Sequence, residues 1–208
     1  NVHIYFQYKD YNSTFIQNGW AIRGGKWFYF LDHRKQTGWV NDNGTYYFLD
    51  AKGAMQTGWH KEENSWFYLA SNGAMQTGWG DIKSDRYFFD SNGIMQTGWT
   101  EINEKFHYFD PSGAMQTGWH QENGDYYYLD AADGSMATNW LFLNDIWYYM
   151  GNNGIMRTGF QTIDNAKYYL APNGAMLTGW NRINDKRYYF HDNGQMALGF
   201  TTLGKDTF

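Results

Sequence analysis

The sequence predicts an all-β fold, a solenoid of stacked β-hairpins built from repeats of about twenty residues. Three observations carry that prediction. A ring following glycine or a small residue returns at Trp20, Trp39, Trp59, Trp79, Trp99, Trp119, Trp140, Phe160, Trp180 and Phe200, at gaps of 19 to 21 residues. An aromatic run with high strand preference, such as Trp66-Phe67-Tyr68-Leu69, follows each ring after a polar stretch. Each run then ends in a turn signal, Asp50…Gly53 or Ser71-Asn72-Gly73, before a segment such as Met75-Gln76-Thr77-Gly78-Trp79 closes the unit. Repeats of this kind form one array, 1–208, and no linker divides it.

Taken in order, residues 1–38 are irregular N-terminal repeats. His3-Ile4-Tyr5-Phe6 reads as a strand, and the turn glycine expected in the second unit is missing from His33-Arg34-Lys35. Residues 39–159 are regular. Residues 160–208 diverge, with Phe160 and Phe200 in place of tryptophan and Lys167 and Arg187 in place of an aromatic. The outermost units are expected to cap the stack. Within a regular unit, Tyr46–Leu49 is read as one strand, the Asp50…Gly53 turn as the hairpin corner, and Ala54–Thr57 as the return strand. The residues after each Gly-Trp are read as a loop of six or seven. Helix is disfavoured because glycine, asparagine and β-forming rings recur every few positions. A lone hairpin is marginal in water, so successive hairpins must stack to bury ring area.

Composition narrows the function. Aromatics are 21% of residues while mean hydropathy is -0.71, so many rings must sit at surfaces or shallow grooves. A net charge of -5 provides no basic footprint for nucleic acid. No run of about 18 apolar residues is long enough to span a membrane as a helix. The chain has no cysteine, which fits secreted and intracellular settings alike. Nothing at Asn1 has the pattern of a signal peptide, and the chain reads as a mature or trimmed form. Asp50, Asp90, Asp110 and Asp130 recur at turns, where backbone hydrogen bonding accounts for them, and they are too few in oxygens for calcium. The six histidines lack metal-ligand spacing, His107 reads as a packed ring, and no nucleophile elbow or phosphate loop occurs. Neither an enzyme activity nor a cofactor is expected of these residues.

The rings carry the functional reading. Strand alternation places Trp66 and Tyr68 on one face and Phe67 and Leu69 on the other, the latter forming an inner wall. Rings left near a seam suit a quaternary ammonium ion, whose charge meets the negative ring faces and which has no N–H to satisfy. On the residues alone, packing of hairpin on hairpin, a cation cage and sugar stacking all remain open.

The pattern Gly-Trp, six residues, an aromatic triplet, Leu-Asp-x-x-Gly-x-Met-x-Thr-Gly-Trp closely resembles the choline-binding repeat of pneumococcal-type surface proteins, over nearly the whole chain. The resemblance implies a superhelix of hairpins binding choline between consecutive repeats. It also implies a secreted, cell-surface protein held non-covalently on phosphocholine-bearing teichoic and lipoteichoic acids of the cell wall. Carried onto this sequence, it implies five cages. Trp39 and Tyr46 are expected with Tyr68, and Trp59 and Trp66 with Phe88. Trp99 and Phe106 are expected with Tyr128, Trp119 and Tyr126 with Tyr149, and Trp140 and Trp147 with Tyr169. The third ring of each rests on strand alternation. Met55, Met75, Met115 and Met136 are candidates for cage walls or for hairpin packing. Arg86, Lys167 and Arg187 replace a cage ring, so their seams are expected to be empty or filled by the residue's own cation. Trp20 with Trp27 or Phe28 is left unassigned. A rival reading is a carbohydrate (glucan)-binding array, since the unit from Gly159 to Tyr169 resembles glucan-binding and toxin repeats. A third is an adhesin whose residues 160–208 contact a host protein.

Overall fold

A computed structural model describes residues 18–198 and, beyond them, the backbone of two short strands at 202–203 and 206–207. The strand expected at His3-Ile4-Tyr5-Phe6, the ring at Phe200 and the capping roles of the outermost units lie outside the described residues. Among the described residues there is no helix. The strands in unit order are β1 (Gly19–Arg23), β2 (Lys26–Leu31), β3 (Arg34–Lys35), β4 (Gly38–Asp42), β5 (Thr45–Leu49), β6 (Gly58–Glu62) and β7 (Ser65–Leu69). They continue as β8 (Gly78–Ile82), β9 (Asp85–Phe89), β10 (Gly98–Ile102), β11 (Lys105–Phe109), β12 (Gly118–Glu122), β13 (Asp125–Leu129), β14 (Asn139–Leu143) and β15 (Ile146–Met150). The last are β16 (Gly159–Ile163), β17 (Ala166–Leu170), β18 (Gly179–Ile183), β19 (Lys186–Phe190), β20 (Thr202–Leu203) and β21 (Asp206–Thr207). Apart from β3, which extends the first pair, each strand pairs only with its neighbour in an open two-stranded sheet. By internal contacts the chain divides into two compact units, Asn1–Gly98 with Phe109–Met115, and Trp99–Tyr108 with Gln116–Phe208. Each is a solenoid-type stack of hairpins.

The hairpin itself lies one element earlier than the sequence reading placed it. The polar stretch after each Gly-Trp is the first strand and a two-residue turn, not a loop: Gly118–Glu122 pairs with Asp125–Leu129 across Asn123-Gly124. Both turn residues take positive φ, 53° and 91°, the type I′ geometry whose twist matches that of the strands. Asn144-Asp145 makes the same turn with φ of 49° and 63°, conformations that short polar side chains tolerate. The segment read as a return strand contributes a single bridge residue, as in Leu49 with Met55 and Leu69 with Met75. The Asp50 turn is present as expected, its Oδ1 accepting the N–H groups of Lys52 and Ala54 at 2.8 and 2.9 Å.

The core is a column of one residue per hairpin. Phe30, Leu49, Leu69, Phe89 and Phe109 in one unit, and Leu129, Met150, Leu170 and Phe190 in the other, are buried at the end of each second strand. Leu69 thus forms the inner wall expected of it. Within each unit the segment after one hairpin is tied to the hairpin before. The Met75 N–H donates to the Tyr46 carbonyl and the Met95 N–H to that of Trp66, and the Met176 N–H to that of Trp147, each at 2.8 Å. The methionine side chains then lie on the turn glycine of the next repeat. A Cβ built at Gly73, whose φ is +83°, would overlap Sδ of Met55 and approach its Cγ to 2.8 Å. Gly73→Ala is therefore expected to cost about 2–4 kcal/mol, combining left-handed strain with overpacking. Denaturant unfolding checks this, and a cost near zero would mean that Met55 is free to leave its seat.

Candidate functional site

Register decides which rings meet. In the β6–β7 hairpin Trp59 stands opposite Tyr68 and Lys61 opposite Trp66, so Trp59, Trp66 and Tyr68 share one face. His60, Phe67 and Leu69 share the other. Trp59 touches Tyr68 at 5.2 Å between centroids and lies 6.3 Å from Trp66 with the rings perpendicular. The first two members of the expected cage are therefore together. The third ring is Tyr87 of the following hairpin, 4.9 Å from Trp59 and inclined at 67°, with Phe89 behind it at 5.9 Å. These rings wall an open notch of about 330 Å³ lined by Trp59, Trp66, Tyr87, Met95, Pro111 and Ser112. Trp59 and Trp66 remain 37% and 39% exposed, so the notch presents ring surface to solvent. Burial, then Asp85 and Asp110, pushes the Tyr87 hydroxyl above its ordinary range, so the ring faces the notch as a neutral phenol.

The same contact, of the Gly-Trp ring with the middle triplet ring of the next hairpin, recurs within each unit. Trp39 meets Phe67 at 5.0 Å. In the other unit Trp99 meets Tyr127 at 4.9 Å, Trp119 meets Tyr148 at 5.1 Å, and Trp140 meets Tyr168 at 4.9 Å. The ring expected third at each seam, Tyr68, Phe88, Tyr128, Tyr149 or Tyr169, stands elsewhere. Each packs against the Gly-Trp-position ring of its own hairpin, Phe88 on Trp79 at 5.1 Å and Tyr149 on Trp140 at 5.1 Å. The reason is the stacking mode. Hairpins that follow one another in the same orientation meet front to back, so the face bearing Trp59 receives the opposite face of the next hairpin. That face holds the second triplet residue, not the third. The remaining first-triplet rings, Tyr46, Phe106, Tyr126 and Trp147, are exposed on the Trp face of their own hairpins.

Two further seams lie outside the five expected cages: that of Trp20, unassigned from the sequence, and that of Phe160, expected to be empty or filled by Lys167. Trp20 meets Tyr47 at 4.7 Å, and Phe160 meets Tyr188 at 5.2 Å. The spacing of Trp20 to Tyr47 is obscured by the extra aromatic in Trp27-Phe28-Tyr29-Phe30, but the middle-ring rule finds it. At two of the three positions where a cationic residue replaces the first ring, Arg86 and Arg187, its own charge reaches the indole. The Arg86 Cζ lies 5.3 Å over Trp79 while its Nε pairs with Asp81 at 3.1 Å, and Arg187 Cζ lies 4.8 Å over Trp180. Lys61 Nζ also lies 5.5 Å over Trp66. Of the methionines expected as wall or packing groups, Met55, Met75 and Met136 pack, sitting on the turn glycines Gly73, Gly93 and Gly154. The methionine that lines the notch is Met95, which was not among those expected. His107 is buried as a packed ring, and burial pulls its pKa below the ordinary value.

Residues 36–77, 76–117, 96–140 and 157–199 match the choline-binding repeat family, and residues 138–156 match a putative cell wall binding repeat. Among solved structures, choline binding protein F from Streptococcus pneumoniae is similar at 24% identity over 93% of this chain and 96% of that one, with a TM-score of 0.69. CbpJ from Streptococcus pneumoniae TIGR4 aligns at 25% identity over 90% of each chain, with a TM-score of 0.64. The choline-binding domain of CbpL from Streptococcus pneumoniae aligns at 27% identity over 78% of this chain and 87% of that one, with a TM-score of 0.56. No curated protein matches the sequence.

Proposed function

Because the chain belongs to the choline-binding repeat family, we propose that it attaches non-covalently to phosphocholine-bearing teichoic and lipoteichoic acids of a bacterial cell wall, acting by binding and not by catalysis. The observation that supports this most directly is the open notch between Trp59, Trp66 and Tyr87. Three ring faces around one concavity attract a trimethylammonium head through their quadrupoles. No hydrogen-bond acceptor is needed there, because the ligand has no N–H to place. Choline-binding repeat proteins are cell-wall associated, and no helix among the described residues is long and apolar enough to cross a membrane.

The energetics fit an anchor. Two or three cation–π contacts of roughly 0.5–2 kcal/mol each, reduced by the entropy of binding, correspond to a site of about millimolar affinity. Several such sites engaging one polymer raise the overall avidity by about 10²–10⁴. Weak seats and firm attachment are therefore compatible.

Intrinsic fluorescence titrated with choline should respond saturably, and titration with glucan oligosaccharides should not. Trp66→Ala should remove one choline equivalent by calorimetry and leave the far-ultraviolet spectrum unchanged. A response to glucan alone defeats the proposal in favour of sugar stacking.

A further inference from the structure

Among the positions at which the cages differ, which include His60 and His120 beside Trp39 and Trp99 and Lys61 over Trp66, is the last residue of the first strand in the hairpin that supplies the third ring. β4, β6 and β12 end in Asp42, Glu62 and Glu122, whereas β8, β14 and β16 end in Ile82, Leu143 and Ile163. Wherever the acid stands, the indole of the preceding hairpin donates to it. Trp20 Nε1 reaches Asp42 at 2.9 Å, Trp39 Nε1 reaches Glu62 at 2.6 Å, and Trp99 Nε1 reaches Glu122 at 2.8 Å. The acid shares a face with the third ring, Glu62 with Phe67 and Glu122 with Tyr127. The field is felt there: burial, then Asp125, then Glu122 push the Tyr127 hydroxyl above its ordinary range. One neutral indole N–H occupies one of about four acceptor sites on a carboxylate and leaves its charge in place. A cation within about 6 Å of the indole centroid lies inside the screening length of that charge, about 8 Å at physiological ionic strength.

We propose that the carboxylate edge makes Glu62 and Glu122 specificity-determining residues, so that the cages at Trp39 and Trp99 favour choline presented without a phosphate over phosphocholine, while the aliphatic-edged cage at Trp59 does not discriminate. The inference rests on the choline-cage reading of these seams. Its physical basis is that both ligands carry the same trimethylammonium head, which the carboxylate attracts equally. The phosphate of phosphocholine follows only two carbons behind and meets the same carboxylate with like charge. At Trp59 the corresponding residue is Ile82, which is buried and uncharged.

The test resolves the seams one by one through the indole Nε1–H resonances of the full chain, assigned by single Trp→Phe substitutions. Choline and phosphocholine are titrated separately at about 0.01 M and about 1 M salt, where the screening length falls from about 30 to about 3 Å. At low salt the phosphocholine-to-choline affinity ratio should be about five-fold lower at Trp39 and Trp99 than at Trp59, as expected for one exposed like-charge contact. High salt should bring the ratios together. Glu62→Gln with Glu122→Gln keeps an acceptor for the indole and should raise the ratios at Trp39 and Trp99 to the Trp59 value. Ile82→Glu should lower the ratio at Trp59. Equal ratios at all three indoles, or ratios that the glutamine pair leaves unchanged, overturn the inference while leaving the cages standing. If choline moves none of the three indoles, the cage reading falls and this inference falls with it.

Discussion

Phe89→Ala is expected to destabilise its unit by about 3–5 kcal/mol, the largest effect of any single truncation considered. Phe89 is fully buried, packs with Ile82 and Tyr87, and has Tyr68, Met95 and Ala114 against the same cluster. Its ring lies 5.9 Å from Trp59 and 6.5 Å from Tyr87, so it also forms the back of the notch. Removing it leaves a cavity between hairpins that share no strand hydrogen bonds, where side-chain packing carries much of the cohesion. Phe89→Leu is the control, because leucine fills the same position at Leu49, Leu69, Leu129 and Leu170. That change should cost less than about 1.5 kcal/mol. Urea unfolding followed by near-ultraviolet circular dichroism and by limited proteolysis separates the two, since arrays unfold in segments and one midpoint does not describe them. Equal costs for alanine and leucine would show that the neighbours close over the gap.

Tyr87→Leu is expected to empty the Trp59 seat, whereas Phe88→Leu is expected to leave it filled. Leucine conserves most of the buried volume at Tyr87 and removes only the ring face. Loss of one of three walls, at roughly 0.5–2 kcal/mol, weakens a millimolar site up to about thirty-fold and puts it beyond titration. Phe88 faces its own hairpin's Trp79 at 5.1 Å and takes no part in the notch. Calorimetric stoichiometry for choline should fall by one for Tyr87→Leu and stay constant for Phe88→Leu. The reverse result would restore the assignment made from strand alternation alone.

What the sequence disclosed follows from period and parity. A ring every twenty residues and an aromatic run between them are properties of composition along the chain, and they sufficed for an all-β stack. The two same-hairpin rings of each cage, such as Trp59 with Trp66, follow from alternation within one strand pair. The third ring does not, because it depends on which face of one hairpin meets which face of the next. That is tertiary information, although same-sense repetition contains the answer: front must meet back. The misplaced hairpin has a different cause. Two turn signals compete in each unit, Asn123-Gly124 and the Asp130 turn. Only the first is flanked by two five-residue segments able to pair throughout. The acid at Glu62 and Glu122 was visible as a polar residue, but its partner lies in the preceding hairpin, 23 positions away.

The front-to-back meeting of hairpins has a consequence for what a bound ligand does. Each seat is half made by one repeat and half by its successor, so a choline head acts as mortar between bricks. Occupancy adds to the ring contacts, methionine packing and hydrogen bonds that join successive hairpins, by about 2.7 kcal/mol per seat at a hundred times the dissociation constant. On the proposed function, a wall polymer dense in such heads would be a reinforcement as well as a mooring, with rigidity gained on docking following from the way the repeats divide each seat between them.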